Sequence, residues 1–230
     1  MSTPITTKPA AKPNVAKPTA AGPNRTGGDA AIRPVARPKR KIPDYLVYEI
    51  MDGKPIYYRG YKSVLNKTKT LEDIVGCSSL QAELVDYLLS VIYQFIDRKK
   101  YRVYTNEIGN HIDTGNNLSN DIAIFDKAVL TPDKINKKYP DVPPKIVIEI
   151  DTDADVSELT EFGYIYKKSK KLVDFGVERL IWIMIGTQTV IVMEPGRDWQ
   201  VREWNTDIPL MDGHTFNIAR YLDEEGIVVE

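Results

Sequence analysis

The sequence predicts a mixed α/β (α+β) domain: a central mixed β-sheet flanked by helices, preceded by a disordered basic N-terminal tail. Three observations predict it. Short runs of β-branched and aromatic residues, alternating or continuous in hydrophobicity, recur between turn signals and read as strands. Two longer stretches carry apolar residues at helical spacing. Composition also changes abruptly near Lys41, from Pro, Ala and Lys to a normal globular mixture.

Residues 1–40 hold seven of the 15 prolines, eight Lys or Arg and a single acid, Asp29. With almost nothing large and apolar to bury, this stretch cannot offset its own chain entropy and is expected to be disordered. It reads either as a basic arm that holds a polyanion loosely or as a solubilising linker. The net charge of −1 therefore hides an asymmetry: residues 41–230, read as one folded domain, carry 23 basic and 31 acidic side chains.

The hairpin comes first. DYLVYEI and PIYYRGY flank a turn at Met51-Asp52-Gly53-Lys54 and supply its two strands. Residues 79–97 form the clearest helix, with Leu80, Leu84, Tyr87, Leu88, Val91, Ile92 and Phe95 on one stripe. RVYTNEIG, NHIDTG and DIAIFD suggest a three-stranded antiparallel meander, LTPDKINKKYPDVPP an insertion, and KIVIEID a central strand. A second helix is predicted from about residue 157 to 174, stopped by Gly176. RLIWIMI, TVIVMEP and WQVREW complete the sheet.

Several functional classes find no support. The one cysteine, Cys77, forms no internal disulfide and has no evident base partner. His111 and His214 lack metal-ligand spacing, and neither a phosphate-binding Gly-rich loop nor a G-x-S-x-G elbow is present. No signal-like region and no apolar run long enough to span a bilayer occurs, so a cytoplasmic protein without a membrane partner is expected. Trp182, Trp199 and Trp204 read as sheet packing.

Glu149 stands out because it interrupts the apolar run KIVIEID, where a carboxylate is costly to desolvate without a compensating partner. Strand period places Lys145, Val147, Glu149 and Asp151 on one face and Ile146, Ile148 and Ile150 on the other. The same rule groups Asp121 with Ala123 and Phe125 in DIAIFD. If the two strands are neighbours, Asp121, Glu149 and Asp151 form an oxygen-rich cluster suited to Mg2+ or Mn2+. A lysine from the next helix, which offers Lys167, Lys168, Lys170 and Lys171, would complete the site.

Blander readings stand beside these. A lysine across the sheet would also satisfy Glu149, Asp151 reads better as a cap of the next loop or helix than as a metal ligand, and the lysines read most simply as a solvated helix face. Glu107 is a further ligand if it points inward, and Gln81 and Glu83 are more distant candidates.

The order Asn120-Asp121, Glu149 in an apolar strand, then a lysine-bearing helix running into GVERLIWI resembles the Uma-type restriction endonuclease family of the PD-(D/E)XK nuclease superfamily. The resemblance covers about residues 70–222, including SSLQAEL and DGHTFNIARYL. It implies a restriction-endonuclease-like fold, a divalent-metal site, hydrolysis of phosphodiester bonds in DNA, and a homodimer. Asp121 corresponds to the metal-binding aspartate, with Asn120 where the name-giving proline would stand. Glu149 corresponds to the acid of the E-x-K element, while Asp151 occupies its lysine position.

In that family the lysine has moved to the next helix, and counting back from Gly176 selects Lys168. The helical wheel draws its buried arc through Leu159, Phe162, Ile165, Tyr166 and Val173, which leaves Lys168 off-centre and keeps Lys167 and Lys170 open. The expected catalytic set is Asp121, Glu149 and Lys168, with Asp121 and Glu149 on the metal. The departures at Asn120 and Asp151, and the acidic body, keep a second class open: a catalytically inactive module that binds nucleic acid or protein.

Overall fold

A computed structural model describes residues 41–229; the predicted tail, residues 1–40, lies outside the described residues. The elements are β1 (Val47–Met51), β2 (Lys54–Tyr57), α1 (Tyr61–Leu65), α2 (Ser79–Phe95), β3 (Tyr101–Asp113), β4 (Asn116–Asp126), β5 (Ile146–Ile150), α3 (Glu161–Phe175), β6 (Arg179–Met184), β7 (Thr189–Met193), β8 (Gln200–Glu203), β9 (Ile208–Pro209), β10 (Thr215–Phe216) and α4 (Ile218–Glu225). Eight strands form one mixed sheet in the order β2-β1-β4-β5-β6-β7-β8, with β3 also paired to β4. Among the described residues only β5 and β6 run parallel, joined through α3 as a crossover of that kind requires.

The predicted mixed sheet with helices on both faces is what the chain forms. Ile146, Ile148 and Ile150 of β5 join Ile122, Ile124, Ile181 and Ile183 beneath Leu84, Leu88 and Ile92 of α2. Val147, Leu180 and Trp182 face the other way, against Tyr164, Ile165 and Leu172 of α3. Alternation along β5 thus feeds two separate cores, and all five of its side chains are buried.

Three expectations need correction. The meander is instead one long hairpin, because RVYTNEIG and NHIDTG belong to the single strand β3. A bulge interrupts their alternation: Asn106 and Glu107 both adopt left-handed backbone, at φ 70° and 52°, and the register shifts between Thr105 and Ile108.

The second helix starts at Glu161, not near residue 157, since Thr160 turns the chain at φ 64° and accepts from the Gly163 N–H as the N-cap. The segment after the first hairpin, read as a loop, contains the short helix α1. Gly176, at φ 123°, ends α3 as predicted, and Cys77 is free and exposed. Among the described residues no helix is long and apolar enough to cross a membrane.

Candidate active site

β4 and β5 are antiparallel neighbours with Ile122 opposite Ile148, so Asp121 and Glu149 stand beside each other on the face turned to α3. Asp121 is half-buried, and its Oδ2 accepts from the Ile150 N–H at 2.7 Å, tying the carboxylate to the end of β5. Glu149 is 2% exposed.

α3 lays Lys168 over this pair. Lys168 is fully buried, and its Nζ lies 3.1 Å from Glu149 Oε1 and 3.4 Å from Glu49 Oε2. Glu49, from β1, is itself 4% exposed; its Oε1 accepts from the Tyr164 hydroxyl at 2.5 Å and its Oε2 from the Ser119 N–H at 3.4 Å. The rings of Tyr48, Tyr164 and Trp182 enclose the ammonium at 5.9, 5.8 and 5.6 Å from their centroids, within the range of cation–π attraction. Trp182 Nε1 donates to Ser169 Oγ at 3.0 Å, which fixes that wall of the enclosure.

Electrostatics here are unbalanced. Burial alone would lower the Lys168 pKa, but Glu149 and Glu49 outweigh it and hold the side chain well above the ordinary lysine value. Burial, then the neighbouring Asp121 and Glu49, push the Glu149 carboxyl well up, against the pull of Lys168. Burial raises Asp121 to about 6, opposed by the Ile150 N–H and Lys168 and reinforced by Asp153 and Glu107. Two carboxylates thus contact one ammonium, and Asp121 lies within its field. Neither Glu149 Oε1 nor Lys168 Nζ has an aligned hydrogen-bond partner, despite their 3.1 Å separation.

The approach to this site is also acidic. Burial, then the charge of Asp153, raises the pKa of Glu107 on the β3 bulge. Half-buried Asp153 is raised chiefly by its own burial, with Asp151 adding to the shift and Arg59 opposing it. Arg59 reaches over this segment: its guanidinium donates to the Thr152 carbonyl, its backbone N–H to the Asp153 carbonyl at 2.6 Å.

Among the described residues no three His, Cys, Asp or Glu side chains converge to hold a metal by themselves. Magnesium is commonly held by one or two carboxylates plus waters and substrate oxygens. The adjacent Asp121 and Glu149, with surplus negative charge and an unpaired buried oxygen, fit that smaller requirement.

The structure corrects the helical wheel. The buried arc of α3 is Tyr164, Ile165, Lys168, Ser169 and Leu172, with Lys168 at its middle, while Phe162 and Tyr166 are 65% and 49% exposed. Those two aromatics pack instead on Trp199. Lys170 pairs with Asp174 at 3.0 Å on the surface, Lys171 with Asp52 at 2.5 Å, and Lys167 is exposed.

Asp151 neither joins the cluster nor caps the next loop or helix: its Oδ1 accepts from the Ile185 N–H at 2.9 Å, beyond the end of β6, because its backbone turns left-handed at φ 55°. Asn120, in the proline position, is buried and donates to the Ile108 carbonyl at 3.3 Å. Gln81 reaches the end of β5 from the opposite face, its Nε2 donating to the Ile150 carbonyl at 3.0 Å. Glu83 instead accepts from the Tyr221 hydroxyl. His111 bonds Asn117, and His214 stacks on Phe95.

Glu49 was not among the expected residues. Its signal was present: DYLVYEI, like KIVIEID, sets a glutamate in an otherwise aromatic and aliphatic run.

No family model matches the chain, and no curated protein matches it. Its structure is similar to the crystal structure of a "putative nuclease belonging to DUF820" from Anabaena variabilis ATCC 29413, with a TM-score of 0.53 and 17% sequence identity. The match covers 76% of this chain and 89% of that one. At that identity the likeness is one of fold, and it extends over most of both chains.

Proposed function

We propose that the chain is a divalent-metal-dependent endonuclease that hydrolyses phosphodiester bonds in DNA. One observation carries the reading: on a fold shared with a nuclease candidate, Lys168 Nζ sits 3.1 Å from Glu149 Oε1, and Glu149 neighbours Asp121 on the adjoining strand. Two acids and a lysine drawn from a strand, its neighbour and the crossover helix form a set matched to phosphoryl chemistry.

In this mechanism Asp121 and Glu149 would hold Mg2+, with Mn2+ as a substitute. When bound, the metal supplies an activated water and neutralises charge on the phosphate under attack. Lys168, kept as an ammonium by its carboxylate neighbours, adds fixed positive charge where negative charge develops on the phosphate. The Ile150 N–H, by holding Asp121 Oδ2, orients the carboxylate beside Glu149. A homodimer, as the family resemblance implies, would place two such sites to cut both strands.

A second reading rests on the closure of the site floor: Lys168, Glu149 and Glu49 are each at most 4% exposed. A catalytically inactive nucleic-acid- or protein-binding module would keep such a charge cluster as a structural relic. Magnesium or manganese calorimetry on wild type, Asp121→Ala and Glu149→Ala, with DNA cleavage measured on the same samples, separates the two. The nuclease reading expects metal binding and cleavage in wild type and the loss of both in each variant. Metal indifference with intact plasmid, linear and single-stranded DNA establishes the inactive module, whose DNA affinity then depends on residues 1–40 and falls steeply with salt.

A further inference from the structure

We propose that Glu49 is a positioning residue for Lys168: with the Tyr164 hydroxyl, it fixes the ammonium in the orientation that faces Glu149. The inference rests on the reading of Lys168 as part of a phosphodiesterase site, and it assigns a role to a residue outside the acid, acid, lysine set.

Charge balance does not explain Glu49. Glu149 already gives Lys168 one buried counter-ion at 3.1 Å, and a second buried carboxylate brings a further desolvation cost that a single ammonium does not repay. Yet the fold surrounds this carboxylate with donors: Tyr164 Oη at 2.5 Å on one oxygen, Ser119 N and Lys168 Nζ, both at 3.4 Å, on the other. A side chain that starts on β1 and is gripped from both α3 and β4 is a fixed point.

Geometry shows what is being fixed. Lysine ends in a freely rotating ammonium on a flexible stem, and contact with Glu149 alone sets one distance but not a direction. Glu49 comes from β1, which meets the far part of the β4 edge at Asn117, whereas β5 pairs the near part at residues 122–124. Lys168 is therefore held between two carboxylates from different strands bordering one edge, and Tyr164, one turn earlier on α3, locks Glu49 from the lysine's own helix. The three aromatic rings attract the ammonium at 5.9, 5.8 and 5.6 Å from their centroids but do not fix its direction. Loss of Glu49 leaves Lys168 charged by Glu149 and free to swing.

The test uses full-length protein with lysine labelled at Nζ, the Lys168 resonance being assigned by its loss in Lys168→Met. An immobilised, solvent-shielded ammonium gives a sharp, slowly exchanging nitrogen–proton correlation. The proposal expects that signal in wild type and its broadening or loss in Glu49→Gln, which removes the charge and keeps the shape. In the same variant kcat for DNA cleavage should fall about 10- to 100-fold, the scale of a misplaced catalytic group, with KM for DNA and magnesium affinity unchanged.

Tyr164→Phe, which removes only the hydroxyl that fixes Glu49, should reproduce both effects in weaker form, and it carries the test should Glu49→Gln not fold. A sharp Lys168 signal together with wild-type kcat in either folded variant overturns the proposal. If wild type cleaves nothing but the signal is still sharp and Glu49-dependent, the nuclease reading fails and the positioning role stands.

Discussion

Lys168 Nζ and Glu149 Oε1 lie 3.1 Å apart, with neither residue more than 2% exposed, and no aligned hydrogen bond joins them. They are brought together by the crossover from β5 to β6, which drops α3 over the strand that carries Glu149. Buried ion pairs of this kind are weak sources of stability, because desolvation of both groups offsets most of their attraction. Their presence in the middle of an otherwise apolar helix–sheet interface is better explained by what the charges do than by what they stabilise.

Removing the cation exposes that imbalance. Lys168→Met fills the same space but leaves Glu49 and Glu149 buried with no ammonium, at a cost of about 3–5 kcal/mol. The raised Glu149 carboxyl should rise further, and this sets the sign: a folded-state pKa above the ordinary 4.5 means the folded protein binds more protons than the unfolded one between the two values. The variant is therefore most stable at acid pH and loses stability as pH rises through the folded pKa. Urea denaturation midpoints measured across the acid and neutral ranges check this; a midpoint gap from wild type that does not widen with pH contradicts it.

Asp121 makes a similar prediction with a defined window. Its pKa is raised from 3.8 to about 6 chiefly by burial, so its protonated form favours the folded state below 3.8, and that contribution disappears as pH rises to about 6. Asp121→Asn should lack this decline and melt at a higher temperature than wild type at neutral pH, in metal-free buffer. On the proposed metal role of Asp121, magnesium would compete with the proton, so apparent affinity in wild type should climb as pH passes through about 6. Melting curves and calorimetry over that interval read both effects.

How much of this was legible in the sequence depends on the range of the interaction involved. Strand period is rigid, so the shared face of Asp121 and Glu149 came from alternation alone once β4 and β5 proved to be neighbours. Helix period failed for α3 because Phe162 and Tyr166 look like core residues, while their partner, Trp199, comes from the connection between β7 and β8. With a charge at the centre of the true arc, the wheel points away from Lys168, and it is the family resemblance, counted back from Gly176, that selects it. The bulge at Asn106 and Glu107 hid the continuity of β3. Glu49 carries the same local signal as Glu149, a glutamate in an apolar run, but its partner Tyr164 is 115 residues away, so the run alone does not tie it to this site.

Asp151 occupies the sequence position of the E-x-K lysine, but its carboxylate is engaged by the Ile185 N–H at 2.9 Å. It should thus behave as a structural residue. Asp151→Asn retains an acceptor for that N–H and tolerates the left-handed backbone at φ 55°, so cleavage and magnesium affinity should match wild type. Asp151→Ala loses the hydrogen bond and suits that backbone poorly, with an expected loss of about 1–3 kcal/mol in stability and no change in metal affinity. A large drop in magnesium affinity for Asp151→Asn would instead place this carboxylate on the metal.

The three lysines of α3 can be separated by rate at saturating DNA, where differences in surface attraction no longer count. Lys170 is solvent-exposed and pairs with Asp174 four residues on, a screened surface contact of little weight, and Lys167 is also exposed. Neither faces Glu149, so Lys167→Ala and Lys170→Ala should retain the wild-type kcat, with any change confined to KM and to its salt dependence. On the proposed nuclease reading, Lys168→Met should lose about 10²- to 10³-fold in kcat, the scale of removing one charged group that stabilises a developing oxyanion. A wild-type kcat in folded Lys168→Met, beside a collapse in either surface variant, would move the functional lysine to the outer face of the helix and leave the Glu49, Lys168, Glu149 cluster as packing alone.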